Sequence, residues 1–209
     1  MKPWKQALLI GGLGVFGALA GLGLATVAFG PGTLMGTPAG QWVMRHVFDY
    51  RPTLADGRAV IVLDEAVPAL ALHDVAGAPV TLTPGGRPLL INYWASWCSP
   101  CVEEMPLLDA FSAAQGDTGV QVIGIALDDA DEVAAFLRTH PVHFPIRIEA
   151  SGPGDSSMLL GNARSVLPYS VLIDARGRLS KTRLGAFREG ELESWALDCT
   201  PRLPVRFHM

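Results

Sequence analysis

The residues WCSPC, from Trp97 to Cys101, carry the most information about the fold of this chain. They follow an apolar run from Pro88 to Trp94 that predicts a buried strand, and they precede a stretch from Val102 to Ala114 that predicts a helix. Two cysteines with this spacing, at a strand-to-helix junction, are typical of a dithiol that opens and closes as a disulfide. The sequence therefore predicts a redox site at the start of a helix.

The position of Cys98 favours it as the nucleophile of the pair. At a helix N-terminus, free backbone N–H groups and the positive end of the helix dipole stabilise a thiolate and lower the pKa of the thiol. Pro100 suits this place because the first helical turn does not need its N–H. We expect Cys98 to attack a disulfide and Cys101, inside the first turn, to resolve the mixed disulfide that forms.

The surrounding sequence resembles the thioredoxin superfamily, and most of all its membrane-anchored TlpA/ResA/DsbE-like thiol–disulfide oxidoreductases. The similarity is carried by LINYWASWCSPCVEEMP at residues 90–106 and extends over roughly residues 68–197. PALAL at 68–72 and GAPVTL at 77–82 resemble the opening hairpin of that branch. VLP at 166–168 resembles its cis-proline strand. The resemblance implies an α/β, thioredoxin-like fold, with a central mixed sheet flanked by helices.

The resemblance also implies a substrate-docking surface beside the dithiol. In the family, the proline at the position of Pro168 is cis and faces the active disulfide, where the neighbouring backbone pairs with an incoming peptide. Leu167 occupies the preceding position and could restrict which substrates approach, while Trp97 and Pro100 complete the predicted surface. A proline before a buried strand can also mark only a turn or a sheet edge.

Glu104, three residues after Cys101, is the third candidate catalytic residue. ResA-like proteins carry a glutamate here, and the resemblance implies that it accepts a proton. Ordinary thioredoxins have a buried aspartate six residues before the first cysteine, where this chain has Asn92, which cannot titrate. Alternatively, a carboxylate at this position only complements the helix dipole, as the adjacent Glu103 could.

The N-terminal residues 1–30 are predicted to anchor the chain in a membrane. From Ala7 to Phe29 there are 23 residues without a charge, preceded by Lys2 and Lys5. A helix of that length reaches about 34 Å, enough for a hydrocarbon core of about 30 Å. The lysines predict a single-pass protein of the inner (cytoplasmic) membrane, with its N-terminus in the cytoplasm and its catalytic domain in the periplasm or another extracytoplasmic space. The alternative is a signal peptide cleaved near Ala28, and both readings place the dithiol in an oxidising compartment.

Residues 31–57 are predicted to be a linker, in which a short helix can form at 41–50, and residues 58–209 the thioredoxin-like domain. Asp129 with Glu132 predicts a cap at the start of a helix. Strands are predicted at Ala59–Leu63, Val80–Leu82, Leu89–Trp94, Val120–Leu127, Phe144–Ile148, Tyr169–Ile173 and Leu179–Leu184, and helices from Cys98, from Asp129 to His140 and from Glu189 to Asp198.

Composition limits the partners and cofactors. The net charge is −4 and no basic cluster occurs, so we expect no nucleic-acid binding. A zinc site needs four ligands, and the third cysteine, Cys199, is 98 residues beyond Cys101, so we expect neither a metal nor another cofactor. Cys199 is expected to be a buried free thiol, although a bond to a partner chain is an alternative.

The sequence thus predicts an extracytoplasmic thiol–disulfide oxidoreductase that reduces disulfides of client proteins, with cytochrome c or metal-site maturation as one setting. Its expected partners are those client disulfides and a membrane or extracytoplasmic electron donor. One alternative is a thiol peroxidase, although the Pro-x-x-x-Thr/Ser-x-x-Cys context of peroxiredoxins is missing. Another is a copper-binding chaperone that uses Cys98 and Cys101 as soft ligands.

Overall fold

The computed structural model describes residues 52–197 of the chain. Strands and helices alternate through most of this region. In chain order they are β1 (Leu70–His73), β2 (Pro79–Leu82), β3 (Leu89–Trp94), α1 (Ser99–Gln115), β4 (Gln121–Ala126), α2 (Ala130–Thr139), β5 (Ile146–Ile148), α3 (Ser156–Leu159), β6 (Tyr169–Ile173), β7 (Leu179–Leu184) and α4 (Glu191–Leu197).

The strands form one seven-stranded mixed sheet in the order β2-β1-β5-β4-β3-β6-β7. β3 runs parallel to β4 and antiparallel to β6, and β4 runs parallel to β5. β3 and β6 are buried along their whole length and β4 along nearly all of it. That burial explains their continuous apolar sequences, because a strand covered on both faces has no solvent side to make polar.

Apolar residues from the two faces of the sheet form two separate core clusters. Alternate residues of a strand point to opposite faces, so Leu90 belongs to one cluster and Ile91 to the other. The first cluster contains residues of α1, α2 and α4 and both cysteines of the predicted site. The second contains Leu54 and Leu159, which cover the opposite face. The predicted central mixed sheet with flanking helices is confirmed.

The strand predicted at Ala59–Leu63 is wrong. Ala59 forms only an isolated bridge with Thr53. Beyond it, the N–H of Ile61 donates to the carbonyl of Leu159, and the N–H of Asp64 donates to that of Leu179. The segment therefore hydrogen-bonds to different parts of the fold and does not pair along one strand. Its β-branched residues favour a strand, but they do not supply a pairing partner.

The helix start predicted at Asp129 is confirmed, although the side chains of Asp129 and Glu132 do not form the cap. Asp129 is the N-cap of α2, but its side chain makes no capping hydrogen bond. In a capping box the glutamate accepts the N–H of the N-cap residue. Here that N–H donates to Oδ1 of Asp128 instead, at 2.9 Å. The competing carboxylate one residue earlier therefore takes the place of Glu132.

Within residues 52–197, no helix has the length and apolar character needed to cross a membrane. The predicted anchor at 7–29, the short helix at 41–50 and Cys199 lie outside the described residues.

Candidate active site

Cys98 and Cys101 form a disulfide at the N-terminus of α1, with an S–S distance of 2.03 Å and a Cα–Cα distance of 5.3 Å. The helix begins at Ser99, so Cys98 is its N-cap, and the carbonyl of Cys98 accepts from the N–H groups of Cys101 and Val102 at 3.0 and 3.1 Å. Cys98 is 6% exposed and Cys101 is 0% exposed. Both cysteines are buried, but Cys98 keeps a small exposed fraction, so it is the more open of the two to an incoming sulfur.

The turn between β3 and Cys98 is held by a carboxylate from the end of the neighbouring strand. Asp128 follows β4, and its Oδ2 accepts from the backbone N–H of Ser96 at 2.9 Å and from the Ser96 hydroxyl at 2.6 Å. The next residue, Trp97, is 71% exposed, which is a large fraction for an indole. The turn thus presents Trp97 to solvent directly beside Cys98.

Pro168 lies at the same end of the sheet as the disulfide. The Leu167–Pro168 peptide bond is cis, as the resemblance implies. Tyr93 pairs with Tyr169 in the β3–β6 ladder, so the residue before Tyr169 lies beside the strand end that leads to Cys98. Leu167 is half-buried and packs against the cluster that contains both cysteines. Pro168 itself is buried, whereas Pro100 is exposed in the first turn of α1.

Glu104 is a buried carboxylate on the same helix as the cysteines. Its side chain is held from two sides: Oε1 accepts from Nδ2 of Asn92 at 2.8 Å, and Oε2 accepts from the backbone N–H of Phe187 at 2.7 Å. Residues three apart on a helix are neighbours, which places Glu104 next to Cys101. Glu104 is only 1% exposed, and this burial raises its pKa, although the two hydrogen bonds and the positive charge of Arg183 oppose the shift.

Asn92 connects the carboxylate to the sheet. Besides Glu104, its Nδ2 donates to Oγ of Ser170 at 3.0 Å, and the two residues are directly paired in the β3–β6 ladder. Asn92 and Ser170 are both buried. By contrast, Glu103 is exposed and accepts only from the hydroxyl of Ser99 at 3.1 Å. Of the two adjacent glutamates, Glu104 is therefore the one built into the redox site.

The structure thus brings Cys98, Cys101, Glu104 and the cis-proline segment to one end of the sheet. The roles of Ser96, Asp128 and Ser170 were not predicted from the sequence, and no sequence signal marks the backbone N–H of Phe187. In the described part of the chain, no group of three or more His, Cys, Asp or Glu side chains is placed to hold a metal ion.

Comparison with known proteins points to the same chemistry. The family model described as Redoxin matches residues 63–196. The chain is 27% identical to the thiol-disulfide oxidoreductase ResA of Bacillus cereus over 154 residues, which is 73% of this chain and 86% of ResA. It is 25% identical to the sporulation thiol-disulfide oxidoreductase A of Bacillus subtilis (strain 168), covering 62% of this chain and 79% of that protein.

A solved structure from Chlorobium tepidum is similar in fold and sequence. It is the crystal structure of a protein provisionally named as a thiol:disulfide interchange protein DsbE. It superposes with a TM-score of 0.59 at 28% identity, over 66% of this chain and 98% of that one.

Proposed function

Because the chain belongs to the redoxin family and is a protein thiol–disulfide oxidoreductase, we propose that it reduces disulfides of client proteins on the outer side of the cytoplasmic membrane. The observation that carries the proposal is the Cys98–Cys101 disulfide at a helix N-terminus, with Cys98 slightly exposed and Cys101 fully buried. This asymmetry suits a pair in which one cysteine meets the client and the other completes the exchange.

The exchange begins with the reduced dithiol. The Cys98 thiolate attacks one sulfur of the client disulfide, so that a Cys98–client bond forms and the client S–S bond breaks. The first client sulfur leaves as a thiolate and takes up a proton. Cys101 then attacks Sγ of Cys98, which forms the Cys98–Cys101 disulfide and releases the second client sulfur. The electron pair that reduces the client comes from the two cysteines of the enzyme.

The second step needs a proton acceptor for Cys101, and Glu104 fills that role. It lies one helical turn from Cys101 and carries a carboxylate in a site from which bulk water is excluded. Burial raises the pKa of this carboxylate, although its two N–H donors oppose the shift, and a raised pKa makes it a better proton acceptor. In the reverse direction the same group returns the proton to Cys101.

The segment from Ala7 to Phe29 tethers the domain to the membrane. The client binds at a docking surface formed by Trp97, Pro100, Leu167 and Pro168. The exposed indole of Trp97 directly precedes Cys98, and the cis-proline segment lies at the same end of the sheet. After each exchange the Cys98–Cys101 disulfide must be reduced again. A second dithiol protein, in the membrane or outside the cytoplasm, therefore supplies the electrons.

A reduction assay with the full-length protein tests this proposal. The reduced wild type should reduce a disulfide-bonded protein such as insulin with equimolar formation of the Cys98–Cys101 disulfide, and both Cys98→Ser and Cys101→Ser should abolish turnover. Hydrogen peroxide is the competing substrate in the same assay. Faster oxidation by peroxide than by protein disulfides would refute the proposal in favour of a thiol peroxidase.

A further inference from the structure

The backbone N–H that binds Glu104 belongs to a turn between β7 and α4, and one arginine holds that turn. Nη2 of Arg183, on β7, donates to the carbonyl of Ala186 at 3.0 Å and to Oε2 of Glu191 at 2.6 Å. The guanidinium also lies over the ring of Phe187, 4.7 Å from its centroid. Arg183 therefore contacts the residue that binds Glu104 and the residue before it.

Glu191 holds the same turn from the other side. The Oε2 atom that pairs with Arg183 also accepts the backbone N–H of Arg188 at 3.0 Å. The Phe187 ring packs edge-on against Trp195 of α4, with 5.2 Å between the ring centroids. The position of the Phe187 N–H is thus fixed by an ion pair and an aromatic contact, and this N–H reaches Oε2 of Glu104 at 2.7 Å.

The groups that face Glu104 come from three elements besides its own helix. β3 contributes the amide of Asn92, the turn after β7 contributes the Phe187 N–H, and β7 contributes the charge of Arg183. The cysteines on α1 complete the surroundings. The positive charge of Arg183 acts on this carboxylate, and Glu191 faces the arginine from α4.

We propose that Arg183, clamped by Glu191, is a positioning residue for Glu104: it holds the turn whose Phe187 N–H binds the carboxylate, and its guanidinium is a cation beside that turn. This inference rests on the proposed role of Glu104 as the proton acceptor for Cys101. It assigns to the β7–α4 turn a part in proton transfer, through the backbone N–H of Phe187.

Removing the charge should make Glu104 harder to ionise. Arg183→Met keeps an apolar stem over Phe187 but loses the guanidinium, so the pKa of Glu104 should rise and the rate of disulfide reduction should fall at acidic pH. We expect the acidic rate, relative to the rate at mildly alkaline pH, to drop by no more than about tenfold, the lower end of the effect of one nearby opposite charge, because Arg183 has the smallest influence among the groups that act on this pKa. Arg183→Lys, which restores a charge without the planar fork, should recover part of that loss.

Two readouts on the full-length protein test the inference. The first is the pH profile of insulin reduction, and the second is an NMR titration of isotope-labelled glutamate in the oxidised protein, with the Glu104 signal identified by its disappearance in Glu104→Gln. Arg176→Met is the matched control, because Arg176 also pairs with a carboxylate, Asp174 at 3.0 Å, but in the turn between β6 and β7. It should leave both readouts as in the wild type.

The outcomes separate the inference from the proposed function. Suppose that Arg183→Met folds and its Glu104 titration is unshifted, while Glu104→Gln no longer shows the fall in reduction rate at acidic pH. The role of Arg183 is then overturned, and the proton-transfer role of Glu104 stands. A wild-type pH profile in Glu104→Gln overturns both. If Arg183→Met does not fold, Arg183→Lys is measured instead. The backbone N–H of Phe187 should exchange its hydrogen with solvent faster in this variant than in the wild type. If neither this exchange rate nor the Glu104 titration changes, the inference is refuted.

Discussion

Replacing Glu104 with glutamine should slow disulfide reduction strongly without unfolding the domain. The carboxylate is 1% exposed and both of its oxygens accept N–H donors, at 2.7 and 2.8 Å, so bulk water has little access to act as the base in its place. A positioned general base contributes about 10²–10⁴-fold to a rate. A carboxylate that only complements the helix dipole contributes about 0.3–1 kcal/mol, or less than about sixfold. We therefore expect a loss of about 10²-fold or more.

The assay follows insulin reduction against pH with full-length wild type, Glu104→Gln and Glu103→Gln. The Glu103 variant is the matched control, because this glutamate is adjacent in sequence but exposed and bound only to Ser99. It should keep the wild-type rate and profile. Circular dichroism confirms that each variant is folded. A sixfold or smaller effect of Glu104→Gln, equal to that of Glu103→Gln, would refute the catalytic assignment.

The same variant changes how stability depends on pH. Burial raises the pKa of Glu104, so the folded state keeps this proton at pH values where the unfolded chain has lost it. The stability that the protonated group contributes is full below the ordinary glutamate pKa and is lost as the pH rises through the folded-state pKa. Glu104→Gln should remove this decline, which urea denaturation at several pH values would measure. A decline as steep as that of the wild type would contradict the account.

Three further predictions concern the rest of the site and the N-terminal segment. Alkylation of the reduced protein should label Cys98 before Cys101 and at a lower pH than an ordinary cysteine, because the helix N-terminus favours its thiolate; equal labelling would contradict the assigned roles. Asp128→Ala should lower the free energy of unfolding by about 1–3 kcal/mol, because two hydrogen bonds to Ser96 are lost, and an unchanged urea midpoint would show that the turn does not depend on them. Carbonate extraction should leave the full-length protein in the membrane pellet, whereas a soluble product beginning near Phe29 would establish cleavage.

The buried centre of the fold and the dithiol could be predicted from sequence because both leave local patterns. β3, β4 and β6 are covered on both faces and so consist of apolar runs, and the cysteine pair lies at a junction that the flanking runs define. The segment Ala59–Leu63 has the same apolar composition, but its hydrogen-bonding partners lie on other elements, which composition does not record.

The surroundings of Glu104 could not be predicted, because they depend on groups far away in the chain. Phe187 is 83 residues from Glu104 and contributes a backbone N–H, which every residue other than proline possesses. Ser170 is 78 residues from Asn92. The resemblance indicated that Glu104 matters. Only the folded chain supplies the two donors and the arginine-held turn that make it a buried carboxylate with a defined orientation.

Trapping of a mixed disulfide tests the central claim most directly. Reduced, full-length Cys101→Ser is mixed with a disulfide-bonded protein, quenched with acid and analysed by mass spectrometry with peptide mapping, so that an adduct on Cys199 is distinguished. We predict that the client is attached to Cys98, that the adduct persists because the resolving thiol is missing, and that Cys98→Ser gives no adduct at the CSPC site. An adduct on Cys101 in Cys98→Ser that forms as fast as the Cys98 adduct, or no adduct on Cys98, would contradict the account.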